Sequence, residues 1–169
     1  VKTENDGGIR GPGPPLLRTA AGAMGSFFFI GYIPAGSGTA ASMAGALIWV
    51  LISRIPAYYW TVFLTIGAGF LVSGYAERKV FGEKDSSKIV IDEVSGILIT
   101  YLSFTFTPPR GYLYLAAGFV LFRFFDILKP FPIFLLERVK GGPGIMLDDI
   151  VSGLFSNLVL QVIRLLTGW

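Results

Sequence analysis

Two pairs of neighbouring carboxylates carry most of the chemistry this sequence can do. Asp148 and Asp149 follow the run Gly141-Gly142-Pro143-Gly144-Ile145-Met146-Leu147 and open an apolar segment, Ile150 to Leu166. Asp92 and Glu93 interrupt a second apolar run, which continues to Phe106. Adjacent acids inside apolar sequence are costly unless they are paired or bind a metal. As partners of a helix N-terminus they would gain only about 0.3–1 kcal/mol each, which explains one acid better than two. Glycines beside such acids suit close approach of backbone to a ligand, so the Gly141–Asp149 stretch reads as a turn that delivers two carboxylates to a metal and phosphate site.

Two further polar clusters fit that chemistry. In Gly36-Ser37-Gly38-Thr39, Pro34 and the glycines argue against a helix running through, and Thr39 falls near the N-terminus of the segment Ala40 to Ile52. Backbone N–H groups at such a terminus, with the Ser37 and Thr39 hydroxyls beside them, suit an anion; a simple helix cap is the plainer alternative. In Phe122-Arg123-Phe124-Phe125-Asp126-Ile127-Leu128-Lys129-Pro130, a helix continued through Lys129 puts Arg123, Asp126 and Lys129 three residues apart on one face. That face is either a salt-bridge ladder or a phosphate clamp. Pro130 and Pro132 then stop the helix.

The 169 residues contain no cysteine and no histidine. A disulfide, a thiolate nucleophile, an imidazole base and a typical zinc site are therefore excluded, as are lipid phosphatases with a histidine nucleophile. What remains is carboxylate, lysine, arginine, hydroxyl and hard-metal chemistry. Acids would hold Mg²⁺ together with substrate phosphate, and Arg123, Lys129 and the Gly36–Thr39 amides would neutralise charge on a phosphoryl group. Water activated by the metal, or an aspartyl carboxylate, is left as the nucleophile.

The elements that must position these groups are helices in a membrane. Hydrophobic residues make up 53% of the chain and charged residues 15%, too few to cover a soluble helical domain. The mean hydropathy is +0.65. The net charge of +3 lacks an aromatic-basic stripe, so it suits lipid headgroups and not nucleic acid. The sequence sets no oligomeric state.

The chain reads as an all-α, polytopic membrane helical bundle: a flexible tail over residues 1–15, then one membrane-embedded domain over 16–169. Leu16 to Ile33 either spans or lies along the interface. Ala40 to Ile52 and Ala57 to Gly74 form a hairpin, with Ala41/Gly45 and Gly69/Ser73 at the spacing of close-packed membrane helices. Glu77 to Lys88 reads as a polar loop. About four crossings are expected, starting near Ala40, Ala57, Ile89 and Tyr112. The lysines and arginines concentrate in Glu77–Lys88 and Asp126–Asp149, so those loops face the cytoplasm. Ser37, Thr39, Asp85, Asp92, Glu93, Arg123, Asp126, Lys129, Asp148 and Asp149 then converge on one membrane face.

Three blocks resemble those of the bacterial phosphatidylglycerophosphatase A family: the Pro34–Ser42 loop; Ile89-Val90-Ile91-Asp92-Glu93 with Asp85 ahead of it; and the pair Phe122–Pro130 and Gly144–Asp149. The resemblance covers roughly Gly22 to the C-terminus, and the last pair is its most specific part. It implies a Mg²⁺-dependent enzyme of the bacterial cytoplasmic membrane that removes the terminal phosphate of phosphatidylglycerophosphate to give phosphatidylglycerol. Gly38, Thr39, Asp85, Asp92, Glu93, Arg123, Asp126, Lys129, Pro130, Asp148 and Asp149 match the family motifs. Metal binding then falls to Asp85, Asp92, Glu93, Asp148 and Asp149, phosphate binding to Gly36, Ser37, Gly38, Thr39 and Lys129, and catalysis to Thr39, Arg123, Asp126 and Lys129. Two departures stand out: Gly36-Ser37-Gly38-Thr39 replaces the usual Ala-Pro-Gly-Thr, and Ser86 follows Asp85 where the family often has His or Pro nearby. The competing reading from another class is a small transporter or ion-binding protein, whose acids should lie near mid-membrane on facing helices. CDP-lipid phosphotransferases also use membrane-face acids, but their longer Asp-Gly…Asp…Asp pattern is absent.

Overall fold

The computed structural model describes residues 14–82, 86–136, 139 and 141–168. Among the described residues seven α-helices follow one another: α1 (Pro15–Gly25), α2 (Ser37–Ile52), α3 (Ala57–Tyr75), α4 (Ile91–Thr100), α5 (Arg110–Leu128), α6 (Ile133–Leu136) and α7 (Gly142–Thr167). A single 3₁₀ turn, Ile30–Tyr32, precedes α2, and a π-helical turn, Ala76–Phe81, extends α3. There is no strand among the described residues.

The bundle is built around α4. It has only 10 residues, and all but Asp92 and Glu93 are buried. α2, α3, α5 and α7 pack around it. These outer helices turn large apolar side chains outward, among them Leu47, Leu51, Phe63, Leu71, Val120, Leu158 and Leu165. An apolar exterior around a core that holds Ser, Thr, Asp and Asn is the pattern expected with lipid as solvent. α4 is helical without help from a polar outer face: Ser95 and Thr100 donate their hydroxyls to carbonyls one turn back. Its C-terminal carbonyls are met from outside. Asn157 of α7 donates Nδ2 to the oxygens of Thr100 and Leu102 at 2.9 and 2.8 Å, and Tyr58 of α3 donates its hydroxyl to Leu98. Inter-helix bonds of this kind contribute about 0.6–2 kcal/mol each in a bilayer.

Beyond α4 the chain turns over Tyr101–Ser103 before it reaches Thr107, and here Trp49 stacks on Tyr101 with ring centres 4.3 Å apart and donates Nε1 to the Phe104 carbonyl at 3.0 Å. This aromatic layer closes the end of the bundle opposite Asp92.

Among the described residues, three helices are long and apolar enough to cross a membrane: Ala57–Phe81, Arg110–Leu128 and Gly142–Thr167. This departs from the expected crossings in several places. The runs expected to cross from Ala40 and Ile89 form helices of 16 and 10 residues. The longest apolar helix begins instead at Gly142. α1, with 11 residues, is about half the length of a span. Nor is Glu77 to Lys88 a loop throughout: the helical path of α3 runs on through Phe81 and buries Glu77. The tail expected over residues 1–15 falls outside the described residues except for its last two, which start α1.

Candidate active site

The acids of the sequence meet at the end of the bundle where α2, α4 and α7 begin and α5 ends. Asp92 and Glu93 occupy the first turn of α4. Asp149 enters from α7, and one carboxylate oxygen of each of these three residues lies within 4.8 Å of the others. What permits this spacing is a glycine one turn below Asp92 and another one turn below Asp149. A Cβ on Gly96 would lie 2.7 Å from the Asp149 carbonyl oxygen, and one on Gly153 would overlap the Gly96 carbonyl. Any side chain at either position pushes α4 off α7 and pulls the acids apart. This contact was missed in the sequence, although the signal was there: Asp92 and Gly96, and Asp149 and Gly153, share the same four-residue offset.

The stretch before Asp148 is not the turn that its glycines suggest. Only Gly141, with φ +80°, lies in the positive-φ region there; α7 starts at Gly142, and Asp148 and Asp149 stand in its second turn. Gly142 and Gly144 bring backbones together, Gly142 against Gly74 and Gly144 against the Val139 carbonyl, and not backbone against a ligand.

The two cations of α5 arrive differently. Arg123 donates Nη1 to Asp126 Oδ2 at 2.7 Å, one turn along the helix as the spacing requires. Lys129 does not extend that ladder. It leaves the helix with φ 41°, its N–H capping the Phe125 carbonyl at 2.9 Å, and reaches across to Asp148 Oδ2 at 2.7 Å. A left-handed lysine costs about 1 kcal/mol or more, offset here by a charge-assisted hydrogen bond to a buried acid.

α2 supplies the fourth side. Gly36, with φ +77°, precedes its first turn, and the Gly36 carbonyl accepts from Ala40. The first-turn N–H groups of Ser37, Gly38 and Thr39 have no partner within an α-helix. The Ser37 hydroxyl donates to the Ser87 carbonyl at 2.9 Å, so Ser37 offers an anion its backbone N–H. Gly38 sits against the acids: a Cβ there would overlap Glu93 Oε1 and lie 3.5 Å from Arg123 Nη1. Thus the structure brings together Gly36, Ser37, Gly38, Thr39, Asp92, Glu93, Arg123, Asp126, Lys129, Asp148 and Asp149. Asp85 lies outside the described residues.

Electrostatics suit this cluster to a cation. Asp92 Oδ1, Glu93 Oε2 and Asp148 Oδ1 are buried with no hydrogen-bond partner. Burial, then the Glu93 charge, pushes the Asp92 carboxyl well above the usual range. Burial also raises Glu93, with Asp126 adding to the shift and Arg123 opposing it. Two carboxylates 4.8 Å apart repel by roughly 3 kcal/mol at an effective dielectric constant near 20. Asp92, Glu93 and Asp149, the first two each with an orphaned oxygen, suit a hard divalent ion such as Mg²⁺, which takes a few carboxylates and leaves positions for phosphate and water. The acids are gathered at helix ends on one side of the bundle. Transport sites formed at mid-membrane by broken helices have a different layout, and the transporter reading is not favoured.

Comparison with other proteins agrees with this geometry. Residues 23–164 match the family described as Phosphatidylglycerophosphatase A. A protein of Escherichia coli named Phosphatidylglycerophosphatase A is 37% identical over 141 residues, 80% of this chain and 78% of that protein. Its namesake in Haemophilus influenzae is 34% identical over 142 residues, 81% and 84% of the two chains. A Bacteroides thetaiotaomicron protein named as a putative phosphatidylinositol-3-phosphatase is 36% identical over 151 residues, 86% of this chain and 94% of that one. No solved structure matches.

Proposed function

Since the chain belongs to the phosphatidylglycerophosphatase A family, we propose that it is the Mg²⁺-dependent hydrolase that converts phosphatidylglycerophosphate to phosphatidylglycerol, with its site on the cytoplasmic face of a bacterial inner membrane. The observation that carries the reading is the meeting of the Asp92, Glu93 and Asp149 carboxylates with Arg123, Lys129 and the first turn of α2 at one end of an apolar bundle. That end is where the phosphate of a membrane lipid would be presented.

Asp92, Glu93, Asp148 and Asp149 would hold Mg²⁺, with Asp85 assigned beside them on its sequence motif alone. When bound, the ion supplies charge neutralisation at the phosphoryl oxygens and acidification of water. The chain's own groups do the rest. First-turn N–H groups of Gly38 and Thr39, with the Thr39 hydroxyl, bind the terminal phosphate along the positive end of the α2 dipole. Arg123 and Lys129 take the charge that develops on the equatorial oxygens. Asp126 orients Arg123 and receives the proton of the attacking water. Water oxygen bonds to phosphorus, the bond from phosphorus to the glycerol oxygen breaks, and that oxygen takes a proton from solvent at the membrane face to become the hydroxyl of phosphatidylglycerol, while Asp126 returns its proton to solvent. Inorganic phosphate is the second product.

Orientation and span count belong to the same proposal. Arg78, Lys79, Lys88 and Lys129 belong to the site end, Arg54, Arg110 and Arg164 to the other, which supports a cytoplasmic site. α2, α3, α5 and α7 would make four spanning helices around α4.

The test is phosphate release by detergent-purified protein from phosphatidylglycerophosphate and, in parallel, from phosphatidylinositol-3-phosphate, each with Mg²⁺ and with excess chelator. Release from the first lipid, abolished by chelator, is expected. Preferential release from the second would move the substrate assignment to the inositol lipid. Release insensitive to chelator would remove the metal from the mechanism.

A further inference from the structure

Among the outer helices, α2 and α5 leave a gap. Against α4, small residues close the helices tightly, as at Gly45 against Ile97 and at Gly96 against Gly153. α2 and α5 both pack on α4, but between them runs an open apolar groove of about 360 Å³. Met43, Leu47 and Val50 form one wall, Leu115, Ala116 and Phe119 the other.

The helical register ties this groove to the acids. Thr39 lies four residues before Met43 on the same stripe of α2. Arg123 lies four residues after Phe119 on the same stripe of α5, and Asp126 three beyond that. Residues four apart stack on one helix face. The top of the groove is therefore one turn below the point where Gly38 meets Glu93 and Arg123. From Thr39 to Val50 the helix advances about 16 Å. That is close to half of the ~30 Å hydrocarbon core, the depth of one leaflet. The groove volume holds on the order of ten methylene-sized groups.

We propose that the α2/α5 groove is the track for one acyl chain of the lipid substrate, opening sideways to the bilayer and setting the phosphate at the end of α2. The inference rests on the lipid-phosphatase reading above and extends it: the enzyme recognises its substrate as a lipid, by an apolar chain lying in register with the phosphate site. A second apolar groove, between α1 and α3 and lined by Met24, Leu64 and Ala68, shares no stripe with Arg123 or Thr39 and is the natural comparison.

The experiment compares dipalmitoyl phosphatidylglycerophosphate in mixed micelles with its deacylated, water-soluble headgroup, glycerophosphoglycerophosphate. Ala116→Trp and Met43→Trp fill the groove from opposite walls, at positions already exposed to lipid. Each is expected to raise KM for the diacyl substrate by about tenfold or more while kcat stays near wild type. kcat/KM for the deacylated headgroup should move by less than about twofold. Leu64→Trp, in the other groove, should leave both substrates unaffected. An unchanged diacyl KM in both groove variants, or a rise in Leu64→Trp instead, overturns the track. Equal losses on both substrates would mean that the groove residues act on the site's structure, which also overturns it. Wild-type protein that hydrolyses neither substrate would overturn the lipid-phosphatase reading itself, and the track with it.

Discussion

Gly38 and Glu93 occupy each other's space: the Cβ that Gly38 lacks would fall on Glu93 Oε1. Glycine at the start of α2 is therefore what lets the α4 carboxylate stand beside the phosphate-binding turn. In Gly38→Ala the backbone can remain, because the obstacle is the end of a side chain, but Glu93 must swing away. Phosphate release should fall by about a hundredfold, the loss typical of a displacement near 1 Å in a reacting geometry. Stability should fall by only about 1–2 kcal/mol. Shortening the acid by one methylene in Gly38→Ala/Glu93→Asp should recover part of the activity. Full activity in Gly38→Ala would mean that Glu93 is not part of the site.

Lys129 and Asp148 form the second cross-helix link, at 2.7 Å. Removing the lysine leaves a buried carboxylate whose other oxygen already lacks a partner. Lys129→Ala should destabilise the protein by about 1–3 kcal/mol and abolish phosphate release. The double variant Lys129→Ala/Asp148→Asn should regain most of the stability, because no lone charge is left, and none of the activity. Thermal unfolding and turnover, measured on the same samples, separate the two effects. Recovery of activity along with stability would make the pair purely structural.

The raised carboxyls of α4 tie metal binding to pH. Burial lifts Asp92 and Glu93 above the ordinary carboxylate range, with the Glu93 charge adding to the shift at Asp92 and the Asp126 charge at Glu93. Between that range and the raised values, the folded protein keeps protons that the unfolded chain has released. The number bound is then larger in the folded state, and stability without metal falls as pH rises through this window. Mg²⁺ takes the ionised form and releases those protons, so its stabilising effect grows over the same window. The rise in Tm on adding Mg²⁺ should be small near about pH 5 and larger near about pH 8, and Asp92→Asn should flatten the dependence. An increment independent of pH would argue against these acids as ligands.

How much of this was legible in the sequence differs from one residue to the next. The convergence of Asp92, Glu93, Arg123, Asp126, Lys129, Asp148 and Asp149 on one end followed from loop charge and helix spacing, both local quantities. The Arg123–Asp126 bond needed only a three-residue offset. The partner of Lys129 was hidden because the helix ends one residue before it, in a left-handed turn that a period-based reading extends through. The glycines of Gly141–Gly144 misled because glycine serves turns and close helix contacts alike, and only the neighbour, Gly74 or Val139, decides which. The brevity of α4 was likewise invisible: after Glu93 the run to Phe106 carries no charge, glycine–proline pair or other clear stop, and its break after Thr100 is met by Asn157 from 57 residues further along.

The absence of cysteine gives a direct test of orientation. Ser87 is exposed at the end of the bundle that holds the acids, where its carbonyl accepts from Ser37. Thr107 is exposed at the opposite end, just before α5. A single cysteine at either place is the chain's only thiol, so labelling reads one position without background. With the site facing the cytoplasm, Ser87→Cys in intact cells should resist a membrane-impermeant maleimide until the membrane is opened. Thr107→Cys should react from outside at once. The reverse pattern would put the site on the outer face and contradict the charge asymmetry between Arg78, Lys79 and Lys88 at one end and Arg54 and Arg110 at the other. Labelling of both in intact cells would mean that the segment between them, which contains α4, does not carry the chain across the membrane.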